Sequence, residues 1–383
     1  MDKPTVQDIF HRFYPAYLDQ YSPSPVQAKV AHNIMNCKTG AYGANVCVCE
    51  DCGFVQIHYN SCRNRCCPMC QAVPKEMWMD ARREDVLDAP YFHLVFTVPD
   101  ILNPVIYSNQ RLLYDALYHA ASSTISELTA DPKHLGAKVG YICILHTWGS
   151  EMNFHPHIHT ILLGGGLASN NQWKDNGENF FLPIRVISKM FRGKYLEELK
   201  RLWEEDKLVF HGTAEKFRNH YTFKELLDSC YGMDWIPHCK KTFNGAQTVI
   251  KYLGKYTHRI AVSNHRIVRM DDDTVTFLVK DYRNEGQWKE LTISGVEFVR
   301  RFLMHVPPRR FVRIRHYGLL CSRTKSQKLT LCRNLLGCKK YLSKLRDMEM
   351  PEILEHLYGI KVCVCKSCGG HLGKPQLQIP QRC

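Results

Sequence analysis

Three histidines stand at every second position of the stretch NFHPHIHTILLGGG, residues 153–166, and this pattern constrains the fold more than any other feature of the sequence. Successive side chains of a β-strand point to opposite faces, so His155, His157 and His159 share one face while Ile158 points to the other. The apolar run that follows predicts a strand that enters the core. Three glycines then allow the backbone to turn sharply or to approach a ligand closely.

Alternating imidazoles of this kind are typical of a metal site. A neutral imidazole is the commonest side-chain ligand of metal ions, and two of them at positions i and i+2 of a rigid strand can chelate one ion. A single histidine on a strand is more often a surface residue, but three alternating histidines favour a metal site. Imidazole ligands by themselves suit zinc.

The flanking sequence predicts an α+β fold with a central antiparallel sheet flanked by helices. PYFHLVFTVPD and KVGYICILHTWGS alternate like strands, and the few residues between the second of them and the histidine strand suit a hairpin. DDTVTFLVKDYRNEGQWKELTISG predicts a further pair of strands. Helices are expected over AQTVIKYLGKYTHRI, with Asn244 as its N-cap, and at residues 5–20, 26–36, 74–87 and 109–128.

These elements divide the chain into three ranges. Residues 1–88 contain the first helices and a cysteine-rich segment. Residues 89–300 contain the histidine strand and its sheet, with a partly helical insertion at about 168–240. Residues 301–383 are basic and end in a second cysteine cluster. A chain of 383 residues is long enough for two or three domains with their own cores.

The 18 cysteines favour metal ligation over disulfides, because the chain is long and has no signal-peptide pattern. Cys49-x2-Cys52 and Cys67-x2-Cys70 are separated by fourteen residues, close to the usual spacing of a structural zinc site. We therefore expect these four thiolates to bind one zinc ion.

The remaining cysteines leave several pairings open, because ligand pairing cannot be read from sequence order. Cys37, Cys62 and Cys66 could form a second zinc site, or they could be free thiols beside a single zinc. The C-terminal stretch CVCKSCGGH contains another zinc knuckle, Cys365-x2-Cys368. Its partners are open between two pairs, Cys363 with His371 and Cys332 with Cys338.

The charge of the chain indicates a polyanionic partner. The formal net charge is +14 and the isoelectric point is about 9.0. Fourteen lysines or arginines and no acidic residue lie between Arg300 and Arg346, and seven lie in the equally acid-free range from Lys240 to Met270. Such runs favour nucleic acid. Membrane-length apolar segments and a signal-peptide core are missing from the sequence, so we expect a cytoplasmic protein without membrane contact.

Two tyrosines, Tyr252 and Tyr256, lie four residues apart in the helix predicted within the second acid-free run. This spacing puts both hydroxyls on one helical face, with Lys255 and Arg259 nearby. A pair of helical tyrosines usually serves packing. The basic surroundings and the position downstream of the histidine strand favour a functional role here.

These motifs together resemble a known family. His157-Ile158-His159 resembles the signature of the HUH endonucleases, which cut single-stranded DNA. YNSCRNRCCPMCQ, LHTWGSEMNFHPHIH, YLGKYTHRIAVSNHRI and FVRIRHYGLL resemble, in the same order, motifs of the two-tyrosine rolling-circle transposases of bacterial insertion sequences, over about residues 25–320. Cys66 stands where that family's pattern has a histidine, and a thiolate in its place still permits zinc.

The resemblance implies a sheet of the HUH nuclease type that binds Mg²⁺ or Mn²⁺. His157 and His159 would be two ligands of this ion. We prefer His155 as the third ligand, because it lies on the same face of the strand as His157 and His159. The alternative is His146 in the neighbouring strand.

The resemblance also implies a covalent reaction at tyrosine. Tyr252 or Tyr256 would attack a phosphodiester, with Lys255 close by, and form a 5′-phosphotyrosine and a free 3′-hydroxyl. Two tyrosines permit two successive strand transfers. The phosphotyrosine conserves the energy of the phosphodiester, so we expect no nucleotide cofactor, and the sequence has no GxxxxGK[ST] motif.

The implied partner is DNA, mainly the single-stranded or hairpin ends of a mobile element in a bacterial nucleoid. The cysteine-rich N-terminal segment would recognise these ends, with zinc as its structural ion. A homo-oligomer is left open. The arginines expected to contact DNA are Arg63, Arg65, Arg259, Arg313 and Arg315.

Two other functions remain as alternatives at this stage. A replication initiator or conjugative relaxase uses the same chemistry, and a linked helicase domain, which this sequence lacks, would favour it. A non-catalytic zinc protein that binds nucleic acid would explain the charge and the cysteines. It would not explain the histidine strand together with the paired tyrosines.

Overall fold

The computed structural model describes residues 3–175, 182–235, 238–243, 249, 254, 261–281, 284–374 and 376–378. Its α-helices are α1 (Val6–Gln20), α2 (Pro25–Met35), α3 (Ala72–Arg83), α4 (Asn103–Ser108), α5 (Gln110–Ala130), α6 (Ile184–Glu204), α7 (His220–Gly232), α8 (Gly295–Met304), α9 (Lys325–Leu336) and α10 (Met350–Tyr358). Its strands are β1 (Ala44–Val48), β2 (Val55–Tyr59), β3 (Tyr91–Thr97), β4 (Lys138–Trp148), β5 (Phe154–Leu167), β6 (Trp173–Asp175), β7 (His238–Phe243), β8 (Ile267–Met270), β9 (Thr274–Asp281), β10 (Gln287–Ser294), β11 (Ile314–Gly318) and β12 (Gln376–Gln378). None of these helices is long and apolar enough to cross a membrane.

A six-stranded antiparallel sheet forms the centre of the molecule, which confirms the predicted α+β class. Its order is β11-β4-β5-β3-β7, and β6 pairs with the outer part of β5. The predicted hairpin between the histidine strand and its neighbour is the pairing of β4 with β5.

The two faces of this sheet belong to different cores, as the strand alternation predicts. On one face, Ile158, Leu145 and Phe96 pack against α5 and α6 in the largest core of the described residues. On the opposite face, Ile144 and Ile161 pack in a smaller core together with residues of α3 and α9. The histidines of β5 project from this second face, beyond the end of its apolar part.

A separate core joins the first helices of the chain to residues 261–306. Helices α1, α2 and α8 pack with the three-stranded sheet β10-β9-β8 around a set of apolar side chains that includes Phe10, Phe277 and Phe302. Thr5 caps α1 by accepting a hydrogen bond from the backbone N–H of Asp8, and the Asp8 carboxylate accepts one from the backbone N–H of Thr5, so the helix begins at a defined residue. The packing therefore crosses the expected boundaries at residues 88 and 300.

The turn between β4 and β5 is anchored in this separate core. Met152 has a φ of +58° and is fully buried there. The guanidinium of Arg301 donates to the backbone oxygen of Glu151 at 2.9 Å, and His305 Nε2 donates to that of Met152 at 3.0 Å. Arg266 donates to the backbone oxygen of Ser150. The end of the histidine hairpin is thus fixed by residues that lie more than a hundred positions later.

Two features of this sheet go beyond what the sequence indicated. The predicted insertion at 168–240 contributes to the main core, because Phe191 and Tyr195 of α6 are fully buried there with Phe96 of β3. The three glycines do not turn the chain, since β5 continues through them to Leu167. They are needed for close approach, because a Cβ on Gly166 would lie 2.4 Å from the backbone oxygen of Lys138.

Replacement of Gly166 by alanine should therefore destabilise the sheet. The added methyl group would overlap the backbone of β4, which cannot move without breaking its own pairing, and such overpacking costs about 1–3 kcal/mol. Gly193 in the middle of α6 is the control, because a Cβ there meets nothing within 4 Å. Gly193→Ala should raise stability by about 0.5–1 kcal/mol. Urea unfolding of both variants measures the difference, and equal midpoints would contradict the close approach.

Candidate active site and zinc centres

The pairing of β4 with β5 brings three imidazoles together. His146 lies directly opposite His157, and Ile144 lies opposite His159, so the three histidines share one face of the sheet. One nitrogen of each imidazole lies within 4.8 Å of the others, and all three side chains are buried. We call His146, His157 and His159 the histidine triad.

Hydrogen bonds behind the triad fix the orientation of its rings. His157 Nδ1 donates to the backbone oxygen of His155 at 2.7 Å, so the neutral ring carries its lone pair on Nε2. This Nε2 lies 3.0 Å from Nε2 of His159, whose Nδ1 is in turn 2.9 Å from Nε2 of His93 on β3. Outer partners of this kind are typical of histidines that bind a metal ion. Two nitrogen atoms that face each other at this distance suit a shared cation.

Burial keeps these imidazoles neutral. Desolvation, together with the positive charge that His155 and His93 would carry, lowers the pKa of His157 to about 4, against a smaller opposing effect of the hydrogen bond to the His155 backbone. Desolvation also lowers the pKa of His159 well below its usual value, with contributions from His146 and His157. A neutral imidazole is the form that can donate a lone pair to a metal ion.

His155 does not join the triad, and the structure instead brings His146, the alternative third residue, together with His157 and His159. The ring of His155 is only partly buried, and its Nδ1 lies 3.2 Å from the carboxylate of Asp100. Strand parity alone placed it on the correct face of β5. The cross-strand register, which parity does not reveal, selects His146. Sequence reasoning also missed His93, whose only signal was its position in the neighbouring strand β3.

The triad opens into a cleft of about 890 Å³ with basic and aromatic walls. The wall from the cysteine-rich segment and α3 carries Arg65 and Lys75, and the wall from the β8-β9-β10 sheet carries Arg266 and Lys280. Two indoles, Trp148 and Trp288, also line the cleft. Such a combination of cations and aromatic rings suits a nucleic-acid strand.

The predicted tyrosine helix lies mostly outside the described residues. Tyr252, Tyr256, Lys255 and Arg259 all lie outside the described residues. Gly254, which lies between the two tyrosines in sequence, is described and lines the cleft. A Cβ at Gly254 would overlap the sulfur of Met79 and approach Lys75, both on α3. The middle of the tyrosine segment thus reaches the same cleft as the triad.

Two groups of four cysteines have the geometry of zinc centres, and neither has the pairing that the sequence suggested. Zn–S bonds of about 2.3 Å in a tetrahedron place the sulfurs about 3.8 Å apart. The first group has Cys62 Sγ 3.8 Å from Cys70 Sγ. Its members are Cys37, Cys62, Cys67 and Cys70. This group lies against the core of α1, α2 and α8.

The second group combines the two ends of the chain. Cys49 Sγ lies 3.5 Å from Cys368 Sγ, and Cys52 Sγ lies 3.7 Å from Cys365 Sγ. The backbone supports the arrangement, because β12 pairs with β1 in the sheet β12-β1-β2, and Cys49 forms a bridge with Leu372. We call this second group the terminal clasp. The terminal clasp takes the place of the expected site, in which Cys49 and Cys52 would have joined Cys67 and Cys70.

The other cysteines proposed as ligands lie outside both groups. Cys66 is buried in the core beside the first group, and burial raises the pKa of its thiol to about 11. Its side chain thus packs as a neutral thiol and is not a fifth sulfur at either centre. The partners proposed for the C-terminal knuckle also join neither of these groups among the described residues: Cys363, His371, Cys332 and Cys338.

The arginines expected to contact DNA have different surroundings. Arg63 and Arg65 are exposed, and Arg65 lines the cleft while donating to the backbone oxygen of Phe311 at 2.6 Å. Arg313 is buried over the ring of Trp148. Arg315 pairs with Asp115, and its guanidinium carbon lies 3.9 Å from the centre of the Tyr118 ring, on the helical side of the sheet and outside the lining of the cleft.

Part of the C-terminal basic run is also neutralised internally. Lys325 pairs with Asp85 at 2.8 Å, and Arg346 pairs with Glu84 at 2.7 Å. Both acidic residues follow the end of α3, where Asp80 also accepts hydrogen bonds from the segment around Ser343. The acid-free sequence from Arg300 to Arg346 therefore suggests more free positive charge than the folded protein carries in this region.

Comparison with known proteins identifies relatives across most of the chain. Residues 140–328 match a family described as "Putative transposase", and residues 9–98 match one described as "Transposase zinc-binding domain". A protein of Sinorhizobium fredii (strain NBRC 101917 / NGR234) named "Putative transposase y4qJ" is 42% identical over 336 residues, which cover 87% of this chain and 84% of the relative.

A second relative carries a more specific name. The "Transposase for insertion sequence element IS801" of Pseudomonas savastanoi pv. phaseolicola is 30% identical over 309 residues, which cover 79% of this chain and 72% of the relative. No solved structure matches the chain significantly.

Metal analysis should find two zinc ions per chain bound by cysteine. The measurement is best made in the His157→Ala/His159→Ala variant, so that only thiolate sites are counted. Adding Cys365→Ser and Cys368→Ser should reduce the zinc content from about two to about one, because the terminal clasp loses half of its ligands. Cys66→Ser is the matched control and should keep both ions. Loss of zinc on Cys66→Ser would contradict the assignment.

Stability should fall as the pH is lowered from about 6.5 towards 4. Burial lowers the pKa of His305 to about 4, so the unfolded chain takes up a proton in this range while the folded chain does not. The loss from this one residue is on the order of 3 kcal/mol. His305→Gln should flatten this part of the pH dependence, measured by urea unfolding at pH 7, 6 and 5. If the free energy of unfolding of His305→Gln and that of the wild-type protein fall equally between pH 7 and pH 5, the assignment is contradicted.

Proposed function

Because the chain belongs to the family of insertion-sequence transposases that these relatives represent, we propose that it cuts and rejoins single-stranded DNA at the ends of a mobile element. The observation that carries this proposal is the buried histidine triad at the base of a basic cleft, which the tyrosine segment reaches at Gly254. The reaction would follow a rolling-circle route through a phosphotyrosine intermediate.

The triad fits a divalent cation. Its three neutral imidazoles offer nitrogen donors at mutual distances that one ion can bridge, and the His93 and His155 contacts hold two of the rings. Mg²⁺ prefers oxygen ligands, so this donor set favours Mn²⁺ over Mg²⁺. A divalent ion bound there would polarise the scissile phosphate and stabilise charge on the departing oxygen.

Tyr252 or Tyr256 would supply the nucleophile. The phenol loses its proton to water, its oxygen forms a bond to phosphorus, the P–O3′ bond breaks, and the 3′ oxygen takes up a proton. The product is a 5′-phosphotyrosine that stores the energy of the broken bond, so rejoining needs no nucleotide cofactor. The second tyrosine would cleave the next DNA end while the first remains occupied, with Lys255 and Arg259 contacting the strand.

The walls of the cleft would hold the strand over the triad. Arg65, Lys75 and Lys280 come from two different sides and could neutralise successive phosphates. The zinc-binding segment, with Arg63 at its surface, would recognise the element ends as single strands or hairpins. Because the segment contributes Arg65 to the cleft, recognition and cutting would take place on one continuous surface.

A covalent adduct between the protein and single-stranded DNA is the expected product. Purified protein is incubated with a labelled single strand that carries the element ends, with Mn²⁺ or Mg²⁺, and adducts are separated on a denaturing gel. Tyr252→Phe with Tyr256→Phe should reduce adduct formation by at least about a thousandfold, since both nucleophiles are removed. Mn²⁺ should support the reaction better than Mg²⁺.

The control for loss of a tyrosine hydroxyl is Tyr221→Phe. Tyr221 lies on α7 and its side chain is 76% exposed, outside the cleft. This variant should form the adduct at the normal rate. An unchanged adduct yield in the double tyrosine variant, or cutting of duplex DNA without any adduct, would overturn the proposed reaction.

A further inference from the structure

One aromatic side chain at the edge of the cleft differs from the others in its exposure. Trp288 is the second residue of the outer strand β10, and 52% of its surface is exposed even though it lines the cleft. Trp148, the other indole of the cleft, is half-buried. Its ring stacks on His146 at a centroid distance of 4.5 Å, and Arg313 lies 5.6 Å from its centre. Trp288 therefore has free ring surface, whereas Trp148 serves as a wall.

Positive charge surrounds Trp288. Lys280 lies directly opposite it on β9, with its ammonium nitrogen 5.4 Å from the ring centre. The guanidinium carbon of Arg266 lies 5.8 Å from the same centre. An exposed indole beside a lysine matches one repeating unit of a nucleic-acid strand, which has a flat base and a phosphate.

The position of Trp288 is fixed relative to the histidine triad. The backbone N–H of Lys280 donates to the Ser150 hydroxyl, and Arg266 donates to the Ser150 backbone oxygen. Ser150 belongs to the turn that joins β4 to β5, the two strands that carry the triad. The β9-β10 hairpin that carries Trp288 is thus hydrogen-bonded to the turn between the two strands that carry the triad. These contacts fix its position relative to the triad directly.

We propose that Trp288 is a stacking site for one unpaired nucleobase of the DNA strand in the cleft, with the adjoining phosphate on Lys280. This inference rests on the proposed function, because it assumes that the cleft binds a DNA strand. A base that is paired in a duplex is already stacked on its neighbours and cannot cover the indole. The site therefore selects single-stranded DNA, whereas the other cations of the cleft would accept either form.

The test compares binding of a labelled single strand and of the matching duplex to the full-length protein by fluorescence anisotropy. Trp288→Ala should weaken single-strand binding by about 5- to 150-fold, the range that one lost base stack produces. It should change duplex binding by less than about twofold. Trp288→Phe should restore most of the single-strand affinity. Tyr221→Ala, which removes an aromatic ring of 76% exposure outside the cleft, is the control and should leave both affinities unchanged.

A scan with abasic nucleotides locates the stacked base. At one or two positions of the strand, removal of the base should weaken the wild-type protein and leave Trp288→Ala unaffected. Equal losses of single-strand and duplex binding in Trp288→Ala, or no loss, would overturn the stacking site. Cleavage is scored separately: if His157→Ala with His159→Ala stops adduct formation while Trp288→Ala binds normally, only the stacking site fails. If that histidine variant still forms the adduct, the proposed function fails instead.

Discussion

The register between β4 and β5 determines what the rest of this structure can do. It places His146 opposite His157, and it separates the apolar half of that sheet face from the half that carries the imidazoles. A shift by one residue would turn every side chain of β5 to the other face, exchanging Ile158 for the histidines in the main core. The glycines near the end of β5 and the anchored turn before it both oppose such a shift.

The turn also explains why distant parts of the sequence must fold together. Arg301 and His305 hold it from α8 and the residue just after that helix, which pack with α1 and α2 from the start of the chain. The terminal clasp adds a second long-range link, between Cys49-x2-Cys52 and Cys365-x2-Cys368. The cleft above the triad accordingly has walls from the cysteine-rich segment, the central sheet and the β8-β9-β10 sheet. Under the proposed function, recognition of the element ends and cutting would take place on this one surface.

The sequence predicted local features well and long-range pairings poorly. Alternation identified β3, β4 and β5, and it placed His157 and His159 on one face. It could not select His146 over His155, because that choice depends on a turn with a residue of positive φ and on a register irregularity between His146 and Trp148. The zinc pairings failed for a related reason: each CxxC knuckle is recognisable alone, but which knuckles meet depends on topology across the whole chain.

The most direct test of this account is pulsed electron paramagnetic resonance of Mn²⁺ bound to the protein. The nitrogen couplings should report three imidazole ligands in the wild type. His146→Ala should remove one of these couplings and weaken Mn²⁺ binding, whereas His155→Ala should leave both the couplings and the affinity unchanged. A spectrum that loses a nitrogen on His155→Ala but not on His146→Ala would contradict the register on which the site is built. So would a wild-type protein that binds no Mn²⁺ at histidine.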